Sequence, residues 1–384
     1  MLKRMGMVMK SIINLGDIPL VNNLTNTQQD SFDCKRYPLE IFELDNLIMK
    51  LGVDIKSEKM FSNYLYRSSV NAPYVKHCEK MWDDVKKFDP KNIADIGGND
   101  GALLNSFRRL SDYKLNLTNI DASESFKEDN EKAGIAYYNE YWGERTFENK
   151  FDLITSTNVF QHNPFYEKFV EGIVKNLDGR WLLEFPYFLE TVKTNQFDQI
   201  YHEHVYYWLV YPLHIIFKKY GLKIIDISEK DIHGGTLRLI MSNKDEDEED
   251  LFKINHYIKA EREYDFSIWG KKIIKKISED KIFLNQIQGS IACFGAAAKG
   301  CIYLNSIDIN NKFKYVVDDT KDKQGKYVPG TGLKVVPRDF LKQDSPKYIL
   351  ILAHNFKDFI IQSLKEYGYK GKFIVMFPCI KVID

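Results

Sequence analysis

Two short stretches of this 384-residue chain carry side chains whose types and spacing can do chemistry. The first is Ile93-Ala94-Asp95-Ile96-Gly97-Gly98-Asn99-Asp100-Gly101. Glycine lets a backbone adopt positive φ and come close to a ligand. Dinucleotide turns space their glycines G-x-G-x-x-G and seat a pyrophosphate on a helix N-terminus. Here Asp95 and Asp100 crowd a turn with glycines at 97, 98 and 101. Two carboxylates there repel a pyrophosphate and suit a cationic, phosphate-free ligand. Asp121, closing the next apolar run, is placed to accept hydrogen bonds from a ribose diol. The second stretch is Tyr201-His202-Glu203-His204. A histidine near neutral pKa can take a proton α to a carbonyl, a carboxylate can orient its ring, and a tyrosine hydroxyl can stabilise the enolate oxygen. If that segment is extended, Tyr201 and Glu203 share one face and His202 and His204 the other. Asn158 and His162 belong to a loop expected near the same cleft. His-x-His could also chelate a metal, but no third ligand is close in sequence, and a satisfied structural network is the other alternative.

Positioning these groups requires a strand before the glycine turn and a helix after it. Asn92–Ile96 reads as the strand, Ala102–Leu110 as the helix and Leu115–Ile120 as the next strand. Phe151–Thr155 and Arg180–Phe185 continue the alternation, which predicts a parallel sheet covered on both faces. Residues 185–211 break the rhythm and form the excursion that carries the His-rich segment. Lys244–Asp250 (KDEDEED) reads as a solvated linker and marks a boundary. One long amphipathic helical stretch, Leu251–Ile287, is expected after it. A second α/β pattern then begins: strand Ser290–Phe294, turn Gly295–Gly300, helix Cys301–Ser306, and strands Phe313–Val317, Tyr348–Ala353 and Phe373–Phe377. The expected fold is a Rossmann-like α/β domain over residues 81–245, a second Rossmann-like α/β domain over 246–384, and a small N-terminal arm over 1–80.

Strand, acid-flanked glycine turn, helix, strand, acid is the arrangement of an S-adenosylmethionine (SAM) methyltransferase. SAM is therefore the expected cofactor, held by Asp95, Gly97, Gly98, Asn99, Asp100, Gly101, Asp121 and Asn158. Composition agrees with small-molecule chemistry. Lys plus Arg and Asp plus Glu both total 54, so there is no general attraction to nucleic acid or to an anionic membrane. No apolar run is long enough to span a bilayer. Five scattered cysteines without a CxxC pair read as free thiols in a reducing compartment, and Lys10 interrupts any signal-peptide core. A cytoplasmic location is expected.

Across nearly its whole length the chain resembles the SAM-dependent sugar C-methyltransferases, which act on nucleotide-linked 4-keto-deoxysugars. The resemblance rests on Leu15–Asn22, Tyr64–Ser69 with His77, Ile96–Gly101, Glu184–Tyr187, Phe197–His204, His233–Arg238, Gly295–Gly300, Lys323–Lys326 with Pro329–Thr331, and Ala353–Phe356. It implies that His204 is the general base at sugar C3, supported by Glu203, with Tyr201 near the keto oxygen. His162 and a tyrosine of the pair Tyr64 and Tyr66 would line the chamber. The C-terminal unit would bind the sugar nucleotide, with Lys299 and the turn from Gly295 to Gly300 near phosphate and with Arg238, His202 and Asn355 as further substrate contacts. The chain departs from the family in its N-terminal zinc module. Cys34 stands alone where members carry two CxxC pairs, so no structural zinc is expected, and Ile41, Phe42, Leu44 and Leu47 are expected to pack in its place. His354 is a second departure, at a position where the family more often has Trp. The competing functions are O-methylation of a sugar nucleotide, a nicotinamide-dependent oxidoreductase, and an inactive sugar-nucleotide-binding protein.

Overall fold

The computed structural model describes residues 9–55, 67–232 and 234–384, and three sheets organise them. Strands β4 (Asn92–Ile96), β5 (Asn116–Asp121), β6 (Ala136–Asn139), β7 (Phe151–Thr157), β8 (Leu177–Pro186), β10 (Lys223–Lys230) and β11 (Thr236–Ser242) form a seven-stranded sheet in the order β10-β11-β8-β7-β4-β5-β6. It is parallel from β6 to β8 and is closed by the antiparallel hairpin β10–β11. Four consecutive residues of β4, Ile93 to Ile96, are buried, as expected of a parallel strand covered on both faces. The helix Ala102–Leu110 packs Leu103, Leu104 and Phe107 inward and carries Arg108 and Arg109 in its last turn, where cations suit the helix dipole. Ile96 pairs with Ile120, so Gly97 and Asp121 stand side by side at the carboxyl ends of β4 and β5, the crevice where open α/β sheets bind ligands.

A six-stranded sheet follows, built from β12 (Ile291–Phe294), β13 (Phe313–Val317), β14 (Val335–Val336), β15 (Tyr348–Ile351), β16 (Lys372–Val375) and β17 (Lys381–Ile383). Its order is β14-β13-β12-β15-β16-β17, parallel except for β17. The expected α/β, Rossmann-like class therefore describes both sheets. Between them, the single long helical stretch is two helices, Leu251–Arg262 and Phe266–Gln286. Asp265 makes the break: its carboxylate accepts the Ser267 and Ile268 amides at 2.9 and 3.3 Å, starting a new helix. The acidic run before them is held against the sheet, with Lys223 Nζ donating to the carbonyls of Lys244, Asp245 and Asp247 and with Arg180 paired to Asp247 at 2.8 Å.

The N-terminal segment is more than an arm. Strands β1 (Lys10–Pro19), β2 (Arg36–Leu44) and β3 (Ile48–Leu51), with β9 (Tyr206–Tyr207) from the excursion, make a four-stranded antiparallel sheet. Ile41 is fully buried beside Leu39, Met49 and Leu51, whereas Phe42, Leu44 and Leu47 are only half-buried. The sheet is pinned to the C-terminal unit by Ser31 Oγ donating to Val328 O at 2.6 Å and by Arg36 Nη2 donating to Gly330 O at 3.1 Å. Among the described residues no helix is long and apolar enough to cross a membrane.

Candidate active site

The glycine turn closes over two polar side chains, Asp95 and Asn119, the second of which the sequence left unassigned. Gly97 has φ +66°, donates its N–H to Ile120 O at 2.7 Å, and has no room for a Cβ against Val159. At Gly98 a Cβ would lie 2.6 Å from Asn119 Oδ1 and 2.7 Å from Asp95 Oδ2. Asn119 braces the turn by accepting the Gly98 N–H at 3.1 Å and donating to Asn99 O at 2.9 Å. Asp95 lies beneath the turn, 2% exposed, with Thr155 Oγ1 donating to it at 2.7 Å. Burial pushes its carboxyl up to about 7, against the lowering effect of that hydrogen bond, and the Asp121 charge raises it further. Asp121 is partly exposed and accepts the Asn99 and Ser123 amides at 3.0 and 2.8 Å. A carboxylate has about four lone-pair sites, so acceptor capacity remains for a diol. Asn99 Oδ1 takes the Ser68 N–H at 3.1 Å, and Asp100 takes the Ser69 hydroxyl at 2.6 Å. Gly101 is the N-cap residue of the helix Ala102–Leu110, and Asn158, half-buried at φ +56°, follows β7 on the same side. The residues fit a cationic adenosyl ligand: Asp121 keeps acceptor capacity beside the turn, with glycine where the chain must come close.

The His-rich segment is a turn, not an extended strand. The His204 N–H donates to Tyr201 O at 2.9 Å, which folds the Tyr201 ring over the His204 ring with centroids 4.0 Å apart. Alternation therefore fails, and Tyr201 and His204 share a face. The His162 ring lies 5.0 Å from the His204 ring, so the loop after β7 reaches the same chamber. His204 Nδ1 is 3.0 Å from Gln199 O, an acceptor only, so Nδ1 carries the proton and Nε2 keeps its lone pair. Burial, with His162 and Lys299 nearby, holds the His204 pKa well below the usual range, and the ring is neutral. His162 Nδ1 donates in the same way to Glu203 O at 2.6 Å, and burial lowers that ring to about 4. Glu203 does not orient His204; the Gln199 carbonyl does. The Glu203 carboxyl accepts Asn22 Nδ2 at 2.6 Å and is pushed up to about 7 by burial.

Other expected contacts lie elsewhere. His202 is 1% exposed with Nε2 against the Tyr37 and Pro38 carbonyls at 3.2 and 3.3 Å, so it anchors the N-terminal sheet instead of facing substrate. Arg238 is committed inside the central sheet, donating from Nε to Glu184 at 2.6 Å and pairing with Asp84, with His77 on the other side of Glu184 at 2.8 Å. Its side chain is 1% exposed, so it does not face a ligand. Asn355 and His354 line a cleft of about 540 Å³ with Gln196, Gly234, His77, Lys76 and Lys357, between the two α/β sheets. Gly295 ends β12 and Gly300 packs against Leu352. The lysine over that glycine turn is Lys323, whose Nζ donates to Ala296 O at 3.0 Å. Lys299 is partly buried in the first turn of the helix Ala298–Ile307, within the electrostatic field of Asp198, His204 and His354, and burial lowers its ammonium to about 8. Tyr64 and Tyr66 lie outside the described residues. Among the described residues no three His, Cys, Asp or Glu side chains are grouped to hold a metal ion. The roles of Asn22, Asn119, Thr155 and Gln199 were not read from the sequence, because each acts through a contact made only by the fold. Asn22 and Gln199 had a signal as members of the Leu15–Asn22 and Phe197–His204 segments.

Residues 66–227 match the family model described as a methyltransferase domain, and residues 231–378 match the one described as a C-methyltransferase C-terminal domain. The C-methyltransferase NovU of Streptomyces niveus is 26% identical over 397 residues, which cover 97% of this chain and 94% of that protein. Solved structures that match part of the chain include magnesium protoporphyrin IX methyltransferase ChlM from Synechocystis PCC 6803 with bound SAH, at 13% identity over 49% of this chain and 92% of that one, TM-score 0.37. Another is a putative sarcosine dimethylglycine methyltransferase from Galdieria sulphuraria, at 13% identity over 45% of this chain and 86% of that one, TM-score 0.38.

Proposed function

Because the chain belongs to the SAM-dependent C-methyltransferases, with a methyltransferase domain followed by a C-methyltransferase C-terminal domain, we propose that it methylates a carbon α to the ketone of a nucleotide-linked 4-keto-deoxysugar. Bound SAM supplies an electrophilic methyl group on a sulfonium. The observation that carries the reading is the state of His204: neutral, with Nδ1–H tied to Gln199 O and Nε2 left as the base, under the Tyr201 ring. His204 Nε2 takes the α proton, and the electron pair moves onto the keto oxygen. The Tyr201 hydroxyl is the neighbour able to donate a hydrogen bond to that oxygen, while the neutral His162 ring, its one N–H given to Glu203 O, lines the chamber. Holding the nucleophilic carbon and the methyl group in line is mainly a positioning task. It falls to the glycine turn with Asp121 on one side and to the C-terminal unit on the other. We place the sugar nucleotide in the cleft between the two α/β sheets, with Asn355 and the turn from Gly295 to Gly300 toward its phosphates. Five unpaired thiols suit a reducing compartment, and we assign the enzyme to the cytoplasm.

The test is turnover of SAM with a panel of nucleotide 4-keto-sugars in deuterated water, with product read by mass and by NMR. C-methylation is expected, with deuterium exchange at the reacting carbon. Methyl found on oxygen, with every ring C–H intact, would replace this reading by O-methylation.

A further inference from the structure

We propose that Asp198 and Lys299 form a hydroxyl-recognition subsite beside the reacting centre, holding one ring hydroxyl of the sugar between carboxylate and ammonium. The proposal rests on the nucleotide-sugar reading above. Asp198 lies in the short turn Phe197–Gln199 and is fully buried, yet neither carboxylate oxygen has a hydrogen-bond partner. Buried polar groups are almost always satisfied, so an orphaned carboxylate points to a donor that arrives from outside. Two backbone amides lie near it, its own and that of Gln199, and neither makes a hydrogen bond of good geometry. The Gln199 N–H is already donated to Gln196 O at 3.2 Å. Lys276 is committed to both oxygens of Asp280, at 2.9 and 2.7 Å, and to Met376 O at 2.9 Å. The Tyr303 hydroxyl is donated to Asp280 at 3.0 Å.

Lys299 is the cation that acts most strongly on Asp198, and its charge also reaches His204. Asp198 adjoins the base through the next residue, whose carbonyl accepts the His204 Nδ1–H at 3.0 Å, and its turn packs on the helix Ala298–Ile307 that carries Lys299, where the Phe197 and Tyr303 rings stack at 5.7 Å. Electrostatics selects the ligand group. A phosphate oxygen would meet the Asp198 carboxylate, and an ammonium would meet Lys299. A hydroxyl donates to one and accepts from the other at once. Consistent with a site completed by substrate, burial raises the free Asp198 carboxyl to about 6.

The test crosses the wild-type enzyme and Asp198→Ala with two nucleotide 4-keto-6-deoxyhexoses that differ in one ring hydroxyl, each hydroxyl being removed in turn. Binding is read by calorimetry and turnover by product mass, with SAM affinity and apo Tm alongside. For the hydroxyl engaged, Asp198→Ala should weaken binding of the full sugar by about 10–100-fold, the range for a hydrogen bond to a charged group. The matching deoxy sugar should bind wild type and variant within about twofold, by the logic of a double-mutant cycle. The apo Tm should stay level or rise, since an unpaired buried carboxylate is removed. A falling apo Tm with equal losses on every sugar would make Asp198 structural and overturn the subsite. Wild type and variant binding all sugars alike would overturn it too, while leaving the substrate class standing. If wild type binds no sugar nucleotide, the substrate class fails and the subsite with it.

Discussion

The two α/β units use one backbone device at their first turns and dress it with opposite charge. In each, the glycine ending the first strand donates its N–H to the adjacent strand, Gly97 to Ile120 O at 2.7 Å and Gly295 to Val317 O at 2.8 Å. In each, an acid closing the second strand takes a turn amide and the amide two residues beyond itself. Asp121 accepts Asn99 and Ser123 N–H, and Asp318 accepts Ala296 and Thr320 N–H, the latter pair at 2.8 and 2.9 Å. The first turn then adds Asp95 and Asp100. The second adds Lys323, 3.6 Å from Asp318. A shared geometry thus specifies only that something binds at a strand end. By our reading, the charge around it selects a sulfonium in one unit and an anionic sugar nucleotide in the other.

If the two turns each hold one reactant, the group between them should govern reaction without governing either binding event. His204→Ala is expected to lower kcat by about 10²–10⁴-fold, the range for a general base, with SAM and sugar-nucleotide affinities within a few fold of wild type. Loss of α-proton exchange in deuterated water should accompany it. Exchange that persists in the variant would assign the proton to another base and detach His204 from the comparison.

Both α/β units were legible because parallel strands buried on two faces announce themselves as short apolar runs. The runs at Asn92–Ile96 and Phe313–Val317 coincide with β4 and β13. The N-terminal sheet was not, for a physical reason. β1 is bulged between Ser11 and Ile13 and again between Asn14 and Asp17, so its inward residues do not alternate, and its sheet is completed by β9 from residues 206–207. In the candidate site, the glycine turn was readable because its glycines and acids are contiguous. The His-rich segment was read with the wrong geometry, since the turn that puts Tyr201 over His204 is set by Gln199 and by packing against the N-terminal sheet. Arg238 and His202 show the same limit: their partners Glu184 and Tyr37 are far away in sequence, and only the fold reveals that both side chains are already used.

The next largest effect separates the two acids. Asp121→Asn should weaken SAM binding by about 10–100-fold, the loss expected for hydrogen bonds to a charged group, while Asp318→Asn leaves SAM affinity unchanged. Calorimetry with SAM on both variants decides it. Equal losses would mean that the adenosyl group does not belong to the first unit alone.

A third effect is carried by Asp95, the acid beneath the first turn. The folded-state value of about 7 for Asp95 lies above the ordinary 3.8, so the folded protein holds that proton more tightly than the unfolded chain. Its stabilising contribution is complete below roughly pH 4 and lost as pH rises through about 7. Asp95→Asn should therefore raise the apo Tm at pH 8 by about 2–4 °C and change it little at pH 5. Thermal melts of the SAM-free protein at both pH values measure this. A larger gain at pH 5 would reverse the sign and show that Asp95 is stabilised as the anion.

The smallest effect tests the cationic side of the comparison. Lys323 is partly exposed, and its ion pair with Asp318 is screened, so its worth to a ligand is modest and depends on salt. Lys323→Ala should raise KM for the sugar nucleotide by roughly 3–10-fold at low ionic strength and by less near 0.5 M salt, with kcat and SAM affinity unchanged. Steady-state kinetics at two salt concentrations are sufficient. If SAM affinity moves instead, the lysine serves the first unit's ligand and the division of charge between the turns is wrong. If KM rises equally at both salt concentrations, Lys323 holds the turn in shape through Ala296 O, and the phosphates are held by other groups of the C-terminal unit.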